Sequence, residues 1–423
     1  MKFGLVSTDR SLCGINCMTI EMEKSNWPLV ILTILAGVVA AAHVGKAPPS
    51  LPLLRAELDL SIVHAGWVVS VIAAIAMASG VFAGMLADRM GHRKIMILGL
   101  LTMAVSGGVG SIADDTGLLL ASRFFEGVGF ISIAVSAPSL IISAVRSHHR
   151  QLFMGVLSVW VPGGMALSML ISPLILGPLG WRGLWLFWAI SALVLVALFL
   201  MKTDKTPSHI KSSNSPHSFI GSLRLILKRR SPMIMALNFC VYGAQWGSMM
   251  VWIPSFLVEQ RSMDISTAAI LGGLVVTANV PGNLMGSWLL HRGVERCHII
   301  AGIHLVMGLC AVGVFSDSLG DNLRFGLVLL FSHSAGYLSA AMFASVPIHS
   351  PSPQQFGATN GLLLQGSSTG NFFGPPAVAA VVAALGNWNG VIWFMVVCAG
   401  IGFVSSLVMY GIEKQLPMAE NAG

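Results

Sequence analysis

The sequence predicts an all-α integral membrane protein, with twelve transmembrane helices in two pseudo-symmetric six-helix bundles. Three observations carry this. The 423 residues are 55% hydrophobic and only 10% charged, and their mean hydropathy of +0.80 is far above that of chains that cover themselves with polar surface. The apolar residues form twelve runs near the ~20 residues that cross the hydrocarbon. Lys and Arg lie almost entirely between those runs, concentrated on one side.

Taken in order, residues 1–27 carry Asp9, Arg10, Glu21, Glu23 and Lys24 and no apolar run of signal-peptide length, so a cytoplasmic tail is expected. The first bundle, 28–201, has spans near 28–50, 64–87, 94–113, 117–143, 151–177 and 184–201. A polar stretch rich in Ser, Lys, His and Arg, 202–231, reads as a cytoplasmic linker. The second bundle, 232–412, has spans near 232–257, 265–290, 298–316, 324–348, 357–384 and 389–411, and 413–423 forms a second tail.

With the amino terminus inside, eighteen Lys and Arg face the cytoplasm, against Arg55, Arg182, Arg261 and Arg324 on the other side. That positive-inside bias puts both termini in the cytoplasm, as expected for a bacterial inner-membrane protein. The formal charge of +7 is therefore a topology signal, and its spread over loops argues against nucleic-acid binding. The six cysteines are scattered, and Cys13 and Cys17 lack further ligands, so neither a disulfide framework nor a metal or cofactor site is expected. The chain has no nucleophile elbow and no phosphate-binding loop, which excludes the common enzyme readings.

The loop after the second span reads Gly84-Met-Leu-Ala-Asp88-Arg89-Met-Gly91-His-Arg93-Lys94. Its glycines let two helix ends approach, and Asp88 suits the amino-terminal N–H groups of a neighbouring helix. An echo follows the eighth span, where Gly286 and Gly293 keep the spacing and Leu290 replaces the aspartate. A second echo links Gly155 through Trp181 with Gly361 through Trp388. Repeats offset by half a chain are the mark of two parallel halves. The fourth span carries Arg123-Phe-Phe-Glu126-Gly127-Val-Gly129, and the fifth Trp160-Val-Pro162-Gly163-Gly164, before Gly180-Trp181-Arg182.

The first of these motifs resembles the G-x-L-a-D-r-x-G-r-k signature of the major facilitator superfamily, and the fourth-span motif resembles its R-x-x-q-G-x-g signature. The resemblance extends over 28–412. The fifth-span stretch resembles the cyanate and nitroimidazole permease branch and lacks the Gly-Pro order of antiporters. The resemblance implies a secondary transporter in which spans one, four, seven and ten line a central cavity. It also implies a gate at Gly84, Asp88, Arg89, Gly91 and Arg93. The expected partners are a small molecule, anionic on the evidence below, together with protons and the lipid bilayer, with the chain acting as a monomer.

A charge in hydrocarbon costs roughly 3 kcal/mol or more, so each one needs a partner or a wet cavity. Arg123 and Glu126 share a helical face. Either they neutralise each other as a structural pair, or Arg123 holds an anionic substrate while Glu126 exchanges a proton. Lys46, one turn after His43 and just before Pro48-Pro49, either snorkels to the headgroups or points inward. Asn238, Tyr242 and Gln245 recur at helical spacing beside Trp246, which suits cavity lining or interhelical hydrogen bonding. His333 with Tyr337, and Gln365, complete the substrate-site candidates. The leading expectation is proton-coupled uptake of a small organic or inorganic anion. Proton-driven efflux of amphipathic solutes and a non-transporting membrane sensor are the alternatives.

Overall fold

The computed structural model describes residues 26–146, 159–203, 228–351 and 355–415, and only the backbone of Val81, Met85 and Asp88. All its regular elements are helical. They are α1 (Trp27–Gly45), α2 (Ala47–Glu57), α3 (Ile62–Ser70), α4 (Ala74–Met90), α5 (His92–Ser111), α6 (Thr116–Ala144) and α7 (Trp160–Lys202) in the first half. The second half contains α8 (Arg230–Arg261), α9 (Ile265–Thr277), α10 (Asn279–His291), α11 (Arg296–Phe315), α12 (Asp321–His349), α13 (Phe356–Leu385) and α14 (Val391–Gln415).

Ten segments among the described residues are long and apolar enough to cross a membrane. At ~1.5 Å per residue, the 43 residues of α7 would far exceed one crossing. The helix breaks at Gly180, whose φ of +62° suits glycine alone, and the pieces on either side form separate spans. The twelfth span is α8. Its polar side chains lower its hydropathy, but every residue from Val241 to Phe256 is buried, so protein rather than lipid surrounds them. The twelve-helix fold class expected from the sequence is thus present. Span one runs through a joint at Lys46 to Glu57 rather than ending at residue 50, because Pro48 and Pro49 fall in the first turn of α2, where a missing N–H is harmless.

The packing is two-fold in pattern. The contact of α1 with α7 is matched by α8 with α13, that of α5 with α6 by α11 with α12, and that of α4 with α6 by α10 with α12. The halves meet along two seams, α3 and α4 against α13, and α7 against α9. Gly91 (φ +92°) and Gly293 (φ +85°) occupy the same turn in each half, which accounts for the loop echo. Arg93 donates to Thr203 Oγ1 at 2.7 Å and to Phe199 O at 3.1 Å, tying α5 to the end of α7 within its own half. The side chain of Asp88 lies outside the described residues, as do Cys13 and Cys17.

Among the described residues, one ion pair joins the halves: Arg55 of α2 with Glu259 of α8. Both are about one-third exposed, so the pair contributes only about 0.2–1 kcal/mol. Reversing either charge should lower stability by about that amount or slightly more. The double swap Arg55→Glu/Glu259→Arg should recover it, as thermal unfolding of the four chains in detergent will show.

Candidate functional site

Inside the first half, four side chains with no exposed surface converge: His43, Lys46, Arg123 and Glu126. The Lys46 joint between α1 and α2 turns its ammonium inward, under the Trp185 ring 4.7 Å away, so it does not snorkel. Lys46 Nζ lies 2.5 Å from Glu126 Oε1, and Arg123 Nη1 donates to Glu126 Oε2. Arg123 also donates from Nε to Val68 O at 3.0 Å and from Nη1 to His43 O at 2.8 Å. Its Nη2 is buried without a hydrogen-bond partner among the described residues. On the α5 side Gly107 leaves room for the cluster, since a Cβ there would lie 3.0 Å from the His43 ring and 3.2 Å from Glu126 Oε1.

The proton positions follow from the acceptors. Trp188 O, 3.1 Å from His43 Nε2, can only accept, so Nε2 carries a hydrogen. His43 Nδ1 lies 3.1 Å from Lys46 Nζ and 2.9 Å from Glu126 Oε1. One proton-rich triangle therefore links Nζ, Nδ1 and Oε1. With Lys46 protonated, two cations stand against one carboxylate among side chains with no exposed surface, an arrangement stable only if something else offsets the remaining charge.

The second half repeats the scaffold without the charge. Gly164 lies against Val38 O and Gly370 against Cys240 O. Five residues after these two carbonyls come His43 and Gln245. His43 donates to Trp188 O, and Gln245 Nε2 donates to Met395 O at 2.8 Å. Trp188 and Met395 each follow by seven residues a tryptophan, Trp181 or Trp388, that stands just past a left-handed glycine. The two braces are therefore pseudo-symmetric equivalents. Where the first half has an acid, the second has His304 of α11, between Gln245 Oε1 at 3.3 Å and Asn238 Oδ1 at 3.2 Å. Asn238 Nδ2 donates to Gly402 O at 3.0 Å and Ser405 Oγ at 2.9 Å.

Lys46, Arg123 and Glu126 are thus brought together, whereas the polar stripe of α8 is divided. Asn238 and Gln245 turn toward α11 and α14. Tyr242 stacks on Phe239 and Trp246, and Trp246 Nε1 reaches Ser332 Oγ of α12 at 3.3 Å. His333 and Tyr337 bond each other at 3.2 Å, and Tyr337 reaches Met285 Sδ. Gln365 sits on the seam, its Cγ against Gly80. The sequence reading passed over His304. A single histidine in an apolar run has no periodic signal, and its amide partners lie some sixty residues away on another helix.

The Bacillus subtilis protein NiaP is 27% identical over 357 residues, covering 83% of this chain and 84% of that protein. The niacin transporter NiaP of Acinetobacter baylyi is 24% identical over 96% of this chain and 98% of its own length. Among solved structures, an inward-facing, unoccupied bacterial homologue of the human lysosomal transporter Spinster superposes with a TM-score of 0.76. It covers 92% of this chain and 96% of its own at 16% identity, a likeness of fold alone. The Major Facilitator Superfamily model matches residues 29–352. With its twelve helices, paired halves and matching glycine turns, the chain belongs to the major facilitator superfamily of membrane transporters.

Proposed function

We propose that the chain carries a small organic anion, a carboxylate, together with protons into the cell by alternating access of its two halves. The observation that carries this is the buried excess of positive charge beside Glu126, with Arg123 Nη2 left without a partner. A substrate carboxylate supplies what the cluster lacks, since a guanidinium offers it paired N–H donors. Support comes from the Acinetobacter relative, whose substrate niacin is a compact aromatic carboxylic acid. The fifth-span likeness to cyanate and nitroimidazole permeases points to small solutes as well. The Arg55–Glu259 pair ties the halves together at one end. We place the chain in the bacterial inner membrane, with both termini in the cytoplasm.

The test is uptake by liposomes holding the full-length chain, with an inward pH gradient and radiolabelled nicotinate as the first of a panel of carboxylates. Accumulation should require the gradient and collapse with a protonophore. Arg123→Gln should weaken it by about tenfold or more, the loss expected when a buried charged hydrogen bond to substrate is removed. Gradient-driven export of amphipathic cations, with no carboxylate carried, would replace this reading by efflux.

A further inference from the structure

We propose that Lys46, in exchange with His43, carries the coupling proton, while Glu126 stays ionised throughout as the counter-ion of Arg123. This rests on the proton-coupled reading above and assigns the role to a residue other than the acid in the fourth-span motif.

Both oxygens of Glu126 are already surrounded by donors. Oε2 receives Arg123 Nη1, and Oε1 receives Lys46 Nζ, with His43 Nδ1 2.9 Å away. A proton on Oε2 would face the Arg123 donor, and one on Oε1 could pass only to His43 Nδ1, in competition with the Lys46 ammonium for the same acceptor. Either proton would also leave Lys46 and Arg123, both fully buried, without any negative charge, the most unfavourable state the cluster can adopt. Removing a proton from Lys46 does the opposite. The remaining Arg123–Glu126 pair is neutral, and the Lys46 amine still donates to Oε1.

His43 gives the proton a place to go. Its Nδ1, 3.1 Å from Nζ, accepts the proton Lys46 releases. The resulting imidazolium donates from Nδ1 to Glu126 and from Nε2 to Trp188 O, so both nitrogens are satisfied. From the imidazolium the proton is released to water when the rearrangement of the two halves admits it. The groups facing Lys46 are His43 from α1, Arg123 and Glu126 from α6, and the uncharged Trp185 ring from α7, while α5 presents Gly107. No other charged or titratable side chain is bonded to the cluster among the described residues.

The arrangement sets the direction of coupling. With Lys46 protonated the cluster holds one positive charge too many, and an incoming anion offsets it. With Lys46 neutral the anion loses that attraction. Proton and anion therefore favour each other's binding reciprocally, which is symport.

Lys46→Arg keeps the positive charge but replaces the ammonium with a guanidinium that does not release its proton. In liposomes holding the full chain, gradient-driven accumulation of nicotinate should fall about tenfold or more beyond any loss in nicotinate–nicotinate exchange. Accumulation by Lys46→Arg equal to that of the native chain overturns the assignment. A native chain that exchanges nicotinate but does not accumulate it under a gradient overturns the proton-coupled reading instead. Infrared titration of the purified native protein and Glu126→Asp needs no substrate and decides the assignment even if nicotinate is not carried. The proposal expects no protonated-carboxyl band that Glu126→Asp shifts. Such a band appearing over the pH range that supports transport places the proton on Glu126 and overturns it.

Discussion

Glu126→Gln is expected to destabilise the whole first bundle, by about 3–5 kcal/mol, the usual penalty for leaving a buried charge without its partner. Glutamine fills the same space and can accept a hydrogen bond, so packing is nearly unchanged and the loss is electrostatic. Even if Lys46 gives up its proton, Arg123 remains ionised, buried and opposite a neutral amide. Lys46→Met should be much milder, because it leaves the neutral Arg123–Glu126 pair in place. Adding Arg123→Met to Glu126→Gln removes the stranded guanidinium and should recover most of the loss, a non-additive result expected only of groups in one network. Thermal unfolding of the four proteins in detergent checks this. A loss with Glu126→Gln no larger than with Lys46→Met would mean the carboxylate is not the counter-ion of the cluster.

How much of this was legible in the sequence depends on how local each signal was. Spans are written in runs of twenty apolar residues, so the order of the twelve crossings was readable, and the glycines at 84, 91, 286 and 293 announced the paired turns. Arg123 and Glu126 were readable as partners because three residues separate them on one helix. Lys46 was not readable as their third member. Its ammonium meets Glu126 across eighty residues of chain, and the nearby prolines suggested a helix end where the structure has a joint. The polar stripe of α8 misled for a related reason. Side chains at i, i+4 and i+7 lie roughly on one face, but Tyr242 meets Asn279 of α10 and Ser339 of α12 while the two amides turn toward α11 and α14, a division set by neighbouring helices. His304 became visible only once α8, α11 and α14 were in place.

The second large effect is expected at Gly370. A Cβ there would lie 1.9 Å from Cys240 O and 2.6 Å from Ala244 N, which no rotamer can relieve because both atoms are backbone. Gly366 and Gly374, one turn either side, press on Ala236 and Ala244 in the same way, so α13 meets α8 along a strip of small residues at helical spacing. Even Gly370→Ala must push the helices apart, at about 1–3 kcal/mol, and Gly370→Leu should abolish the folded protein in detergent. Gly164→Ala, 2.4 Å from Val38 O in the first half, should behave like Gly370→Ala. Its neighbour Gly163 is the control, since a Cβ there meets nothing within 4 Å. Gly163→Ala should be neutral or stabilising by up to about 1 kcal/mol through helix propensity. Thermal unfolding and the yield of monodisperse protein report all four, and equal tolerance of alanine at Gly163 and Gly164 would rule out the tight α1–α7 approach. The contrast bears on transport because these contacts hold α1 to α7 and α8 to α13 within each half. Under the proposed alternating access, a half that moves as one body needs its own helices locked. The braces from His43 to Trp188 O and from Gln245 to Met395 O keep their geometry only while that lock holds.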